Sequence, residues 1–380
     1  MRKKENTKNI NRYLIEWEKE LQQLTHQNLN RKWKIPKGLD FSSNDYLSLA
    51  HHAGIRKSLI QVLKKNLPLS AGASRLIRGH TPWHEETEYL FKKYVRRESA
   101  LFFSSGYMAN LGLIPTLCKN SVIFSDQMNH ASLIDGCRLS RRPCHIYPHK
   151  DINKLEHLLK KEKHKNKVII TESLFSMDGD FAPLEELSEL ALKYQTLLIV
   201  DEAHATGVYG PKGMGLCGLL KEKEHIISIH PCGKAISASG AFIAGPAILK
   251  KYLINKCRSF IYTTAPSPVL LFHIQCVLNT LKKEYKRREL LKKKVFFFRN
   301  KIKNLAHIGD SESMIIPIIT GSANSALTME KALQKKGYDI RAIRYPTVAK
   351  GKERLRICIH YDHTYKQLKE LSHVLKLLLS

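Results

Sequence analysis

A chain of 380 residues with 43% hydrophobic content can bury one large core and one smaller one, which excludes disorder throughout and predicts a large and a small domain. Its 63 Lys and Arg against 34 Asp and Glu leave a formal charge of +29, a field that favours polyanions such as nucleic acid, coenzyme A or an acidic acyl carrier protein. The longest uncharged stretch, Ala100 to Cys118, is interrupted by Ser104, Ser105, Gly106 and Asn110, which argues against a membrane span; none of the eight cysteines is spaced as C-x-x-C, so reduced thiols and no metal site are expected.

Met1 to Glu20 reads as the basic start of an amphipathic helix without an export signal's apolar core, so a cytoplasmic protein is expected. Residues 1–45 form an N-terminal helical segment in this reading, 46–270 the large domain and 271–380 the small one. Between residues 99 and 245, short β-rich runs alternate with amphipathic stretches, the signature of an α/β domain with a mostly parallel sheet flanked by helices. The predicted strands are Ala100–Phe103, Val122–Phe124, Val168–Thr171, Leu197–Val200, Ile226–Ile229 and Ala241–Ala244. A long helix is predicted from Pro268 to about Asn304. The small domain follows, with strands at Met314–Ile319 and Leu355–Ile359 and helices near Ser325–Lys336 and Thr364–Leu379. The basic runs 160–167 and 282–294 carry few aromatics, unlike single-strand nucleic-acid platforms, and read as solvated helix faces.

Ligands of open α/β sheets bind beyond the carboxyl ends of the strands, so the residues following each run carry the chemistry. The run Leu197 to Val200 delivers Asp201 and His204 there. A carboxylate in that position can pair with a pyridinium nitrogen, as pyridoxal phosphate requires, and His204 can bond the ring hydroxyl. Asp-Glu-Ala-His at a strand end also marks one class of helicase, but the phosphate loop that a helicase needs is missing: Ser228 stands where glycine is required before Gly233-Lys234, and Ala235 follows. Lys234, thirty residues after His204 and among small neighbours, suits a Schiff-base lysine. The stretch Phe103 to Asn110 reads as a strand entering a helix, whose first amides at Gly106 and Tyr107 would meet a phosphate. His130 would stack on the pyridine ring or act as a proton donor; a core histidine is an equal alternative from spacing alone. Arg356 could hold a carboxylate in a bidentate pair, with a surface ion pair as the alternative.

Together Phe41–Leu47, Gly72–Leu76, Ser125–Ser132, Phe175–Asp180, Asp201–His204, Gly233-Lys234 and Arg354–Arg356 resemble the α-oxoamine synthase family, pyridoxal-phosphate enzymes of fold type I, over about residues 41 to 363. The resemblance implies that Lys234, His130 and Asp201 are catalytic. It implies that Ser105, Gly106, Tyr107, Ser176, Ala203 and His204 join them around the cofactor, and that Thr263 and Thr264 reach the phosphate from the other subunit of a homodimer. Asn44, Ser74, Arg344, Thr347 and Arg356 are implied in substrate binding. The reaction implied is decarboxylative condensation of L-alanine with a pimeloyl thioester of coenzyme A or an acyl carrier protein, as in biotin biosynthesis. Tyr345–Val348 with Glu353–Arg356 also resembles members that use glycine, which is kept as the alternative amino acid. Arg31, Lys32 and Lys34 are candidates for the far carboxylate of the acyl chain.

Pro231 stands where the family has a threonine two residues before the glycine-lysine pair, which costs a hydroxyl and a backbone donor. Weaker cofactor retention is expected unless His230, Ser237 or a partner-chain threonine compensates. Ser48 and Ala349 depart from the family in loops. A nucleic-acid-binding protein on a decayed scaffold is a remote alternative, set aside because every ionisable group that the chemistry needs is present.

Overall fold

The computed structural model describes residues 2–305 and 307–379. The chain enters through helix α1 (Arg2–His26), the short strand β1 (Leu39–Asp40) and helices α2 (Ala53–Leu63) and α3 (Pro82–Val95). The large sheet and its crossovers follow: β2 (Ser99–Phe103), α4 (Gly106–Leu117), β3 (Val122–Asp126), α5 (Ala131–Ser140), β4 (Cys144–Tyr147), α6 (Ile152–Lys161), β5 (Lys167–Glu172), α7 (Leu184–Lys193), β6 (Leu197–Asp201), β7 (Ile226–Pro231) and β8 (Ala241–Gly245). Helices α8 (Ala247–Lys256), α9 (Arg258–Ile261), α10 (Pro268–Lys283) and α11 (Tyr285–Ile302) lead to β9 (Ile315–Ile319), α12 (Ala323–Lys335), β10 (Tyr338–Asp339), β11 (Arg341–Ile343), β12 (Arg354–Cys358) and α13 (Tyr365–Leu379).

The large sheet has the order β2-β8-β7-β6-β5-β3-β4. Strand β8 runs antiparallel to both neighbours, and the other pairs are parallel. Six strands therefore run one way and present their carboxyl ends along one edge. Their apolar residues face two cores in alternation: Ile170 and Ile199 pack in one with Leu113 and Leu133 of α4 and α5, while Ile169, Leu198 and Val200 pack in the other with Leu155 and Leu187 of α6 and α7. Burial on both faces is what the uninterrupted β-branched runs specify. Side-chain caps set several helix starts: Ser105 accepts from the Met108 amide at α4, Asp151 from Lys154 at α6 and Ser267 from Leu270 at α10, where Pro268 takes the first position.

The second sheet is antiparallel, β11-β12-β9, and is covered by α12 and α13. Strand β1 pairs with β10, the Cys358 amide donates to the Phe41 carbonyl, and the Tyr361 amide donates to the Tyr46 carbonyl. The segment after β1 is thereby fixed alongside β12, which brings Asn44 and Tyr46 to Arg356.

Three sequence expectations are corrected. Strand β4 was not expected, because Cys-His-Ile-Tyr is an edge strand with three of four residues exposed and so lacks a buried alternation. The single helix expected from Pro268 to Asn304 is two, broken at Glu284 (φ −94°, ψ 45°); α10 packs on α2 and α3 whereas α11 packs on α13. The basic run 282–294 is not wholly a solvated face: Arg288 is buried and donates to the Leu281 carbonyl, and buried Lys294 donates to the Tyr361 carbonyl. Among the described residues, no helix is long and apolar enough to cross a membrane.

Candidate active site

The carboxyl ends of β2, β5, β6 and β7, together with the segment after β3, converge on a cavity of about 340 Å³. Ser105, Gly106, Tyr107, His130, Asp201, Ala203, His204 and Lys234 all line it, so eight residues singled out from sequence meet in one place. Each sits where a strand ends because the sheet hydrogen bonds stop there and the backbone turns toward the crevice.

Asp201 is 4% exposed. Burial pushes its carboxyl up, against hydrogen bonds from Asn110 Nδ2 (2.8 Å) and the Ala203 amide (2.9 Å) and the charges of His130 and Lys234. A carboxylate so placed is completed by a cation. Burial, then the Arg356 guanidinium, pulls the Lys234 amine below its usual range, so its neutral, nucleophilic form becomes accessible. His204 is held neutral, well below its ordinary range, by burial and then by Lys234 and Arg356. Its Nδ1 lies 2.6 Å from the Tyr46 hydroxyl, which itself donates to Asn44 Oδ1 at 2.9 Å. His204 Nδ1 must then be the donor to Tyr46, leaving Nε2 as an acceptor. His130 caps α5, and its Nδ1 pairs with Ser132 Oγ (2.8 Å); burial, its largest influence, leaves it below the usual range.

At the other end of the cavity, helix α4 begins at Gly106. The first amides of a helix have no partner inside it, and with the dipole they favour an anion. A Cβ on residue 106 would lie 2.8 Å from Pro231 Cγ, so glycine is required for the strand end and the helix start to approach this closely. A buried carboxylate, an amine of lowered basicity and an anion-accepting helix start fit pyridoxal phosphate, with its ring nitrogen, aldehyde and phosphate.

Arg356, 7% exposed, donates through Nε to the Ser176 carbonyl (2.7 Å), and through Nη2 to Asn44 Oδ1 (3.0 Å) and the Tyr46 hydroxyl (3.2 Å). Among the described residues no carboxylate pairs with it. Its Nη1 donates to Cys358 Sγ (3.0 Å), and Arg356 itself is not among the residues lining the cavity; a buried cation without a counter-charge is costly, which makes it a candidate partner for an anionic ligand.

The remaining candidates lie elsewhere. Ser176 contributes its carbonyl to Arg356, and it is not among the cavity's lining residues. Ser74 and Thr264 form an antiparallel bridge with each other, while Thr263 lines a separate cavity bounded by α4, α8 and α9. Arg344 and Thr347 line a basic cavity of about 560 Å³ with Arg31, Lys32, Lys34 and Arg341, although some 310 residues separate its two walls in sequence. Both ring nitrogens of His230 are engaged, by Thr206 and Ser228 at 2.8 Å, and Ser237 donates to Asp45, so neither is free to replace the missing threonine hydroxyl.

Sequence reasoning gave no role to Asn110, Ser132, Glu172 or Tyr46. Asn110 joins Asp201 to Ser132 Oγ (2.9 Å), and Glu172 accepts from the His130 amide (2.7 Å). Burial, then Asp201, pushes the Glu172 carboxyl well up. Glu172 follows the predicted strand Val168–Thr171 and was open to the strand-end rule; the partners of Asn110, Ser132 and Tyr46 depend on tertiary placement.

The family model for aminotransferase class I and II matches residues 36–375. The 8-amino-7-oxononanoate synthase of Marinobacter nauticus is 41% identical over 342 residues, 89% of this chain and 86% of its own. Among solved structures, the 8-amino-7-oxononanoate synthase of Francisella tularensis is 30% identical, with a TM-score of 0.76 over 90% of this chain and 98% of its own. Serine palmitoyltransferase (SPT) with PLP is 25% identical, with a TM-score of 0.85 over 90% of this chain and 87% of its own.

Proposed function

The chain belongs to the aminotransferase class I and II family and is a pyridoxal-phosphate enzyme of fold type I; within that family we propose that it condenses L-alanine with a pimeloyl thioester, releasing carbon dioxide and the free thiol carrier and giving 8-amino-7-oxononanoate. The observation that carries the reading is Arg356, a buried guanidinium lacking a carboxylate partner among the described residues and near enough to Lys234 to lower its basicity. That arrangement suits an α-amino acid whose carboxylate pairs with Arg356 while its α-carbon faces the lysine.

When bound, pyridoxal phosphate supplies an electron sink for a carbanion at the amino acid's α-carbon. In the proposed mechanism, Lys234 Nζ would hold the cofactor at rest and would take the α-proton once the amino acid is in place. Asp201 would pair with the ring nitrogen and keep it protonated, and His204 Nε2 would accept from the ring hydroxyl. His130, which lines the same cavity, would pack against the ring and donate a proton to the thioester oxygen. The Gly106 and Tyr107 amides would hold the phosphate. The basic cavity of Arg31, Lys34 and Arg344 supports binding of an anionic acyl donor, and β11, which forms one wall, pairs Arg341 with Arg356. The named relatives support the biotin pathway.

We also propose a homodimer. Helix α1 carries Ile10, Leu14, Trp17 and Leu21 at least half exposed at helical spacing, a stripe for which a second subunit is the natural cover. Thr263 and Thr264 lie outside this chain's own cavity, consistent with service to the partner's. Light scattering of the purified protein should give twice the mass of one chain.

The reading is tested by supplying purified enzyme and pyridoxal phosphate with pimeloyl-coenzyme A and either alanine or glycine. Release of carbon dioxide and the C9 amino ketone with alanine supports it; turnover with glycine alone transfers the enzyme to a glycine-using reaction. Restoring the hydroxyl in Pro231→Thr should tighten cofactor retention about tenfold in dialysis, the equivalent of one net hydrogen bond. Equal retention by both proteins would mean that Pro231 costs nothing.

A further inference from the structure

His149 lies between two buried carboxylates outside the cavity. Its Nδ1 is 2.9 Å from Asp126 Oδ1 and its Nε2 2.9 Å from Asp180 Oδ2. Lys150 adds its Nζ to Asp180 Oδ2 at 2.5 Å and its amide to Asp126 Oδ2 at 3.1 Å. Burial pulls the imidazole's pKa down, but the hydrogen bonds and charges of Asp126 and Asp180 outweigh it and leave it raised to about 9. The ring is therefore a cation at neutral pH, donating through both nitrogens. The edge of Phe175 packs on it, with ring centroids 4.4 Å apart.

What the two carboxylates belong to gives the arrangement its consequence. Asp126 ends β3, four residues before His130. Asp180 closes the loop 173–182, in which the Phe175 amide donates to the Asp180 carbonyl (3.0 Å) and the Gly179 amide to the Phe175 carbonyl (2.9 Å). That loop supplies the Ser176 carbonyl to Arg356, and the Met177 carbonyl (3.0 Å) and Asp178 carboxylate (2.6 Å) to Arg354. It also lies against β9 at Gly179 (φ +70°), where a Cβ would come within 2.1 Å of the Ile315 carbonyl oxygen. One histidine thus ties the strand end leading to His130 to the loop that holds Arg356.

We infer that His149 is a positioning residue for the amino-acid substrate: with Asp126 and Asp180 it fixes the 173–182 loop, and through the Ser176 carbonyl it sets the Arg356 guanidinium relative to His130. The inference rests on the reading of Arg356 as the carboxylate site. Loss of the clamp should be felt as misplacement of that guanidinium, and hence in amino-acid binding before any other parameter.

The test compares His149→Phe, Asp180→Asn and, as a reference, Arg356→Lys, each loaded with pyridoxal phosphate. In His149→Phe the KM for alanine should rise about tenfold while the KM for the acyl thioester holds, the pattern of a lost orienting contact. Hydrogen exchange at the Phe175 and Gly179 amides should quicken in parallel. Asp180→Asn keeps the loop's volume and should show a smaller shift of the same kind, which keeps the test decisive if the phenylalanine variant does not fold. An unchanged alanine KM in a folded clamp variant, with Arg356→Lys impaired, overturns the clamp alone. Unchanged alanine binding in Arg356→Lys overturns the carboxylate reading instead.

Discussion

Lys234→Ala should fold normally and lose turnover by on the order of 10³-fold or more, the scale seen when a group that acts as both nucleophile and base is removed. The expectation follows from position and electrostatics together. Lys234 follows the end of β7, within the same cavity as Asp201 and His130, and its amine is pulled below the ordinary lysine range by burial and then by Arg356. Small neighbours, Gly233 and Ala235, leave its backbone free to lie close to the cofactor. Circular dichroism of the variant should match the parent, because among the described residues the lysine side chain holds no secondary-structure element by a hydrogen bond, and its carbonyl keeps its bond from the Ser237 amide. Turnover within tenfold of the parent would remove Lys234 from the mechanism.

Asp201→Asn is the second large effect. The substitution keeps the shape of the side chain and removes its charge, so a cationic ring nitrogen would lose the counter-ion buried beside it. The cost should fall on the chemical step, about 10²-fold in kcat or ~2.7 kcal/mol, as for other fixed electrostatic partners of developing charge. The KM for alanine should change little, because its carboxylate is assigned to Arg356, on a different element. Steady-state kinetics with saturating cofactor separates the two parameters. A kcat near that of the parent would mean that Asp201 is a structural carboxylate held by Asn110 and Ala203.

The chemical centre was more legible in the sequence than its supports. Asp201, His204 and Lys234 follow apolar runs that only a buried parallel sheet explains, and strand ends are where such folds place ligands. Gly106 was legible for the same reason. Asn110 and Tyr46 were not, since an asparagine inside a helix and a tyrosine in the loop between β1 and α2 acquire meaning only from Asp201, His204 and Arg356, residues up to 310 positions away. The basic cavity shows the same limit in part: Arg31 and Arg344 were each singled out in the sequence, but that they line one cavity emerges only when the chain closes. Strand β4 and the break at Glu284 escaped because polar, half-exposed segments carry a weak periodic signal. His149 went unnoticed for a related reason; a histidine after a Tyr-Pro pair has no motif to announce that two distant carboxylates will close on it.

The most direct test of the central claim is the visible absorption spectrum of the purified protein with pyridoxal phosphate, recorded first alone and then on stepwise addition of alanine, glycine and pimeloyl thioester. The expected result is a cofactor band that is absent in Lys234→Ala, shifts saturably with alanine, and changes again when the thioester is added. A protein that takes up no cofactor, or a band that ignores both alanine and the Lys234 substitution, would contradict it.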